Sequence, residues 1–143
     1  MSDMTEAISR PFPVDPPAEF AGHVEGLSRG EFVIPHCRAC DIVQWPPRPL
    51  CHRCGGTDFD QHAVPELRGE VATWTIVRRA FHPWFAERVP YGIAVVDTTA
   101  GLRLTGWYAG VEVDALSSGL PVRGSVESLG DAPALVWRPA VAA

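Results

Sequence analysis

Residues 37–54, CRACDIVQWPPRPLCHRC, decide the fold of this chain because they hold all four of its cysteines. Their spacing is C-x2-C-x10-C-x2-C. Two residues between thiols let one tight turn aim both sulfurs at one point, and two such knuckles complete a tetrahedral four-sulfur site. Such a site leaves no open position for a substrate, so the spacing predicts a structural metal bound by Cys37, Cys40, Cys51 and Cys54. We expect the metal to be zinc, although four cysteine ligands alone do not distinguish zinc from iron.

The residues around the cysteines agree with two knuckles. Gly55 follows the second pair, where the turn often needs a positive φ, and Asp41 takes the equivalent position after the first pair. We interpret the nearby His36, His52 and His62 as surface groups or as neighbours of a complete four-cysteine site. A redox dithiol is the competing interpretation, but its usual form is a single C-x2-C in a βαβ setting, which this sequence lacks.

The segment before the cysteines predicts an extended arm and then a short helix. Four prolines between positions 11 and 17 prevent a continuous helix over residues 1–17. We expect Asp15 to cap a helix over residues 17–28, with Phe20, Val24 and Leu27 as its apolar face and Gly30 as its stop.

The first cysteine pair is flanked by two strand-like runs. We expect Glu31 to Pro35 to pair with residues near Val43 to Trp45. Three prolines in the connection to the second pair exclude a regular helix or a central strand there, because proline has no backbone donor.

From Gly69 onward the hydrophobic pattern changes to period two, which is typical of strands with two differently packed faces. Closure of five short strands into a barrel removes the exposed edges that an open sheet would leave. We therefore expect a mainly β chain that ends in a closed five-stranded barrel. The predicted strands are Val71–Val77, Tyr91–Asp97, Leu102–Tyr108, Val122–Leu129 and Ala134–Arg138.

Composition and charge exclude several classes of protein. The chain has 143 residues, 46% hydrophobic and 20% charged, with a net charge of −5. A run of about 18 apolar residues is missing, so we predict no membrane span. All 12 basic residues are Arg. Residues 1–68 contain six arginines and ten acidic residues, and residues 69–143 contain six arginines and seven acidic residues. The N-terminus lacks the features of a secretory signal, so we expect a cytoplasmic protein with reduced thiols.

The order of motifs along residues 18–140 resembles the DUF35 proteins, in which a rubredoxin-like zinc ribbon precedes an OB-fold domain. Family knuckles usually read Cys-Pro-x-Cys-Gly; here His52 replaces the proline and Asp41 replaces one glycine, and all four ligands remain. The matching stretches are GEFVI at 30–34, the cysteine pairs at 37–40 and 51–54, WPPR at 45–48, GEVATWTIV at 69–77, VPYGIAVVD at 89–97 and GLPV at 119–122.

Together with the proline-rich arm over residues 1–17, this resemblance divides the chain into a helix and rubredoxin-like ribbon over 18–66 and an OB-fold domain over 67–143. It also implies a non-catalytic accessory subunit of a thiolase-like acyl-CoA-processing complex: an aldolase, acyltransferase or condensing enzyme, including those of steroid side-chain degradation. In such complexes the catalytic residues lie mainly on the thiolase-like, lipid-transfer-type chain. We therefore expect a hetero-oligomer in which this chain supplies a docking surface and part of the acyl-CoA channel.

The connection between the first two barrel strands carries more aromatic and arginine residues than an exposed loop usually does. Loops of this fold are recurrent ligand sites, arginines suit CoA phosphates, and aromatic anchors suit a partner interface. We predict that this loop binds acyl-CoA or the partner; packing against the chain's own core is the competing interpretation. The candidate residues are Arg79, Phe81, His82, Trp84, Phe85, Arg88 and Tyr91.

Two other functions are compatible with a zinc ribbon followed by an OB-fold. A single-stranded nucleic-acid-binding module is the alternative, because zinc ribbons and OB-folds both serve that role elsewhere, but neither half of the chain is basic enough for the positive groove it needs. A metal-dependent scaffold without a ligand is the third. The sequence also lacks the usual hydrolase, metalloprotease, Walker and dinucleotide motifs, so we expect no independent active site, no nucleic-acid partner and no membrane partner.

Overall fold

The computed structural model of the chain describes residues 16–110 and 112–140. The expected arm over residues 1–17 therefore lies outside the described residues except for its last two prolines, and the expected Asp15 cap lies outside them altogether. A 3-10 turn, Ala18–Phe20, leads into helix α1, Ala21–Ser28. The strands are β1 Val33–Cys37, β2 Phe59–Ala63, β3 Arg68–Val77, β4 Tyr91–Thr98, β5 Arg103–Tyr108, β6 Pro121–Leu129 and β7 Ala132–Pro139.

Strands β3 to β7 form a closed barrel in the order β3-β4-β5-β7-β6. All neighbours are antiparallel except β5 and β7, which run parallel over two residue pairs. The five strands predicted from the period-two pattern are thus confirmed. The pattern is clearest in β4, where fully buried residues alternate with residues that are only partly buried or exposed.

The largest fully buried side chain of the described residues lies in the barrel core. The indole of Trp137 on β7 is fully buried, and it occupies the space where Gly106 and Gly124 would carry a Cβ, 2.8 and 2.7 Å from the nearest ring atoms. Strands β5 and β6 therefore need glycine beside Trp137, since any larger residue would displace the ring.

The cysteine-containing segment forms a two-stranded ribbon whose pairing differs from the expected one. Strand β1 pairs with β2, from Val33 opposite Ala63 to Cys37 opposite Phe59. The expected partner, Val43 to Trp45, contributes a bridge between His36 and Val43 and a hydrogen bond from the Gln44 amide to the Pro35 carbonyl at 3.0 Å, so the expected pairing is present but too short to form a strand. Strand β2 was not predicted because Phe59 is its only large apolar residue. Its other side chains are too small or too polar to give a periodic hydrophobic pattern.

Helix α1 packs on β1 through a face that is rotated from the expected one but still includes Leu27, which packs against the core. Val24 is 43% exposed, whereas His23 and Gly26 are buried. The helix approaches β1 so closely that a Cβ at Gly26 would collide with the side chain of Val33. His23 is satisfied in this interface because its Nδ1 lies 2.8 Å from the Val33 carbonyl oxygen. No helix within the described residues has the length and apolar character needed to cross a membrane.

Ribbon and barrel share one core. Phe32 lies just before β1 and Ile34 is the second residue of that strand. Both belong to the same buried cluster as Val71, Leu104 and Trp137 of the barrel. The metal-binding segment is therefore attached to the barrel through buried apolar side chains and not through a linker alone.

Candidate functional site

The four cysteines converge at one end of the ribbon. Cys37 ends β1, Cys40 lies in the turn that follows, and Cys51 and Cys54 flank the second turn. Their Sγ atoms all lie within 4.8 Å of one another, with 3.6 Å between Cys37 and Cys54 and between Cys40 and Cys51. Zinc–sulfur bonds of about 2.3 Å give a tetrahedron with edges of roughly 3.8 Å, close to the two 3.6 Å separations, so this donor set fits a tetrahedral ion.

Both knuckle turns have the predicted backbone. Asp41 has φ 62° and Gly55 has φ 74°, which are left-handed conformations. The amide of Asp41 donates to the Cys37 carbonyl at 2.8 Å, and the amide of Gly55 donates to the Cys51 carbonyl at 2.9 Å. The two turns are therefore equivalent, and aspartate is tolerated in the first because a short polar side chain strains this conformation less than most.

The pKa values of two of the four thiols shift in opposite directions. Backbone N–H groups of Cys54 and Arg53 lower the pKa of Cys51 to about 6. Burial and the neighbouring thiols raise the pKa of Cys40 to about 12. Four clustered thiols thus do not all ionise near neutral pH, whereas a divalent cation among them favours four thiolates. The cluster is a candidate structural metal centre.

A histidine–aspartate cluster braces the first knuckle. The Nε2 of His36 lies 2.6 Å from a carboxylate oxygen of Asp41, and its Nδ1 lies 2.7 Å from Asp60. The hydrogen bonds to Asp41 and then Asp60 raise the pKa of His36. His62 stacks on His36 with ring centroids 3.9 Å apart. Asp41 thus provides the left-handed turn and also ties that turn to β1 and β2.

Gln44 connects the two knuckles, a role that sequence reasoning missed. Its side chain is buried; the Oε1 accepts the His52 amide at 3.0 Å and lies 2.9 Å from the His52 Nδ1, while the Nε2 donates to the Leu50 carbonyl at 3.3 Å. A single glutamine in a proline-rich connection belongs to no motif. Its place between Val43 and Trp45, two apolar residues, is the only signal that points to burial.

The aromatic loop folds back onto the outer face of the barrel. A 3-10 turn over Pro83–Phe85 is capped by His82, whose Nδ1 accepts the Trp84 amide at 3.1 Å. Trp84 is 4% exposed and packs edge-on against Phe85, with centroids 4.9 Å apart. Phe85 stacks on Tyr91 at 5.3 Å, and Tyr91 stacks on Trp107 of β5 at 4.4 Å. Four rings therefore form one continuous cluster.

Arg88 and Gly130 complete the environment of Trp84. The Arg88 guanidinium lies 3.5 Å from the centroid of the Trp84 ring and donates to the Trp84 carbonyl at 2.5 Å. The turn between β6 and β7 approaches from the other side, since a Cβ at Gly130 would lie 2.8 Å from the ring. Arg88 and Tyr91 also line a cavity of about 330 Å³ beside the cluster, and burial raises the pKa of Tyr91.

The remaining candidates of the loop lie apart from this cluster. Phe81 is 82% exposed, the highest value among the large apolar side chains of the described residues. The Arg79 guanidinium lies over its ring, 5.3 Å from the centroid. The structure thus divides the seven predicted residues into a packed base, His82 to Tyr91, and a projecting tip, Arg79 and Phe81.

Comparison with known proteins matches both halves of the chain. Residues 24–60 match the family model "ChsH2, rubredoxin-like zinc ribbon domain", and residues 61–127 match "ChsH2, C-terminal OB-fold domain". A chain of the solved structure "Ltp2-ChsH2(DUF35) aldolase" is 30% identical, with a TM-score of 0.80 over 91% of this chain and 100% of that one. The chain belongs to the DUF35 family. The resemblance seen in its motifs, the rubredoxin-like ribbon and the OB-fold are thereby confirmed.

Two curated relatives extend this DUF35 assignment. A "probable enoyl-CoA hydratase alpha subunit" of Thermomonospora curvata is 33% identical over 98 residues, which are 68% of this chain and 30% of the relative. A "DUF35 domain-containing scaffold protein" of Methanocaldococcus jannaschii is 30% identical over 90 residues, 56% of this chain and 62% of the relative. The chain therefore spans less than two thirds of the length of either relative.

Proposed function

We propose that this DUF35 chain is a non-catalytic accessory subunit of a thiolase-like complex that processes acyl-CoA substrates. The observation that carries the proposal is its similarity, over nearly its whole length, to a chain of a solved structure named as an Ltp2-ChsH2(DUF35) aldolase. The names of the two curated relatives, a CoA-linked hydratase subunit and a scaffold protein, support the same assignment.

In the proposed complex the thiolase-like subunit holds the catalytic residues, and the partner reaction is an aldol cleavage, an acyl transfer or a condensation. This chain contributes a docking surface and one wall of the acyl-CoA channel. The cavity beside Arg88 and Tyr91 supports a role in the channel, because an arginine at the rim suits an anionic phosphate and a stack of aromatic rings suits an apolar or planar group.

The proposed metal is zinc, held by Cys37, Cys40, Cys51 and Cys54, and it serves structure only. Zinc has no redox chemistry, and four thiolates leave it no open position. Metal analysis of the purified chain should find one zinc per chain and a colourless protein. A visible absorption band with iron in the same stoichiometry would overturn the assignment of the metal.

The function is tested by co-expressing the full chain with a candidate thiolase-like protein from the same genome. We expect one complex on size exclusion, and acyl-CoA cleavage or transfer by the complex that the thiolase-like subunit alone does not perform. A thiolase-like subunit that remains separate and fully active by itself would refute the proposal. Tight binding of single-stranded DNA by this chain at physiological salt would instead favour the nucleic-acid alternative.

A further inference from the structure

We propose that the tip of the aromatic loop, Arg79 and Phe81, is the anchor by which this chain docks onto its thiolase-like subunit. The complementary surface on that subunit is an apolar pocket with a carboxylate at its rim. The inference rests on the proposed function and assigns the docking surface to two named side chains.

The exposure of Phe81 differs sharply from that of the aromatic residues around it. Trp84 is almost fully buried and Phe85 is partly buried, whereas 82% of Phe81 is open to solvent. No packing within the described residues accounts for a phenylalanine in this position. A large aromatic side chain held in solvent is the kind of residue that carries binding energy in protein interfaces.

The tip is held in place before any partner arrives. The loop base is fixed by the His82 cap, the buried Trp84 and the arginine stacked over it, so the chain leaves the barrel in a defined direction. The Arg79 guanidinium over the Phe81 ring also restricts that side chain. A preorganised anchor loses less conformational entropy on binding, so more of its burial energy contributes to affinity.

The shape of the tip favours a protein over a CoA nucleotide. Small ligands bind in concave sites that bury most of their surface. Phe81 projects from the surface and lines none of the cavities described above. A projecting side chain is buried only when it enters a pocket on another molecule, as interface anchors do.

Charge indicates what surrounds that pocket. Arg78 is bound to Asp114 at 2.6 Å, and Arg88 is stacked on Trp84. Within the described residues Arg79 has no carboxylate partner, although the whole chain carries a net charge of −5. A second copy of this chain is disfavoured in a symmetric contact, because two tips that meet at a two-fold axis bring two Arg79 cations together. The guanidinium of Arg79 is instead complementary to a carboxylate at the edge of a pocket on a different subunit.

The test measures the affinity of the purified thiolase-like subunit for the full-length chain and four variants. Phe81→Ala should weaken binding by about 30-fold, the loss typical of an interface anchor. Arg79→Glu should weaken it by about tenfold, mainly through a slower association rate and less so at high salt. The controls are Leu50→Ala, an exposed apolar residue of the ribbon, and Arg123→Ala, an exposed arginine on β6. Both controls should stay within about twofold of the unmodified chain.

Each outcome decides a different statement. If the unmodified chain binds the subunit but Phe81→Ala binds within twofold of it, the inference is overturned and the proposed function stands. If the unmodified chain binds no thiolase-like subunit, both fail. Self-association of the chain that Phe81→Ala abolishes, or binding of acetyl-CoA that it abolishes, also overturns the inference. Melting temperature and metal content of each variant should match the unmodified chain, because both side chains of the tip are exposed.

Discussion

Removal of the metal is expected to destabilise the barrel as well as the ribbon. Phe32 and Ile34, which immediately precede the first cysteine knuckle, are 5% and 3% exposed and lie in the same buried cluster as the barrel residues Val71 and Leu104. The knuckle that follows holds the end of β1 in place. Chelation of the ion, or the substitution Cys51→Ser, should release the end of β1. Phe32 and Ile34 would then lose their packing against the barrel core.

The expected loss can be worked from these contacts. A four-thiolate zinc site contributes on the order of 10 kcal/mol to folding, which is enough to unfold the ribbon when the ion is lost. Each buried Phe or Ile contributes about 1.5–3 kcal/mol, so the barrel loses roughly 3–6 kcal/mol in addition. The barrel has about 70 residues, and for a domain of that size 1 kcal/mol shifts the melting temperature by about 4–8 °C, so its melting temperature should fall by roughly 12 °C or more.

Hydrogen exchange resolved by peptide, with a chelator and then with added zinc, measures both losses. We expect faster exchange in β1 and β2 and also in β4 and β5, with full recovery in the unmodified chain and none in Cys51→Ser. If β4 and β5 keep their protection while β1 and β2 exchange freely, the shared core does not couple the two halves. A Cys51→Ser chain that is soluble, metal-free and fully folded would refute the structural role of the metal.

Two further predictions concern single side chains. Burial lowers the pKa of His23 below 6.5, its ordinary value in the unfolded chain, so the unfolded chain binds more protons than the folded one below that pH and the free energy of unfolding should fall as the pH drops. His23→Phe should reduce this pH dependence, measured by urea unfolding between about pH 5 and about pH 7.5. Trp84→Ala should cost about 3–5 kcal/mol in urea unfolding because it removes the centre of the aromatic cluster, whereas Phe81→Ala should stay within about 0.5 kcal/mol. Equal losses in these two variants would contradict the division of the loop into base and tip.

The barrel strands and the cysteine cluster could be predicted from sequence because each leaves a local pattern. In β6, for example, Val122 is buried while Arg123 beside it is exposed, and that alternation is visible in the residues themselves. The turn positions Asp41 and Gly55 were predicted for a similar reason, since few residue types tolerate a positive φ.

Other features depend on contacts between distant segments and leave no such pattern. The helix face was predicted correctly for Leu27 but not for Val24, because the close approach to β1 buries Gly26 and His23 through tertiary contacts with Val33 that the sequence pattern does not show. Strand β2 is polar on both sides because it lies at the edge of a two-stranded ribbon, where pairing with β1 and not burial defines it. Gln44 is recognisable only once His52 and Leu50 are brought beside it.

The aromatic loop shows why its composition alone left two interpretations open. Phe81 and Trp84 are both large and aromatic, and they stand three positions apart, so no hydrophobicity scale separates a core residue from an interface residue here. Their tertiary surroundings separate them, because Trp84 follows the His82 cap and packs beside Gly130, whereas Phe81 remains exposed. Core packing is therefore a property of the base of the loop, and binding is proposed for the tip. The base has a function of its own in this arrangement, since a tip that is rigidly held docks with a smaller loss of entropy than one on a mobile loop.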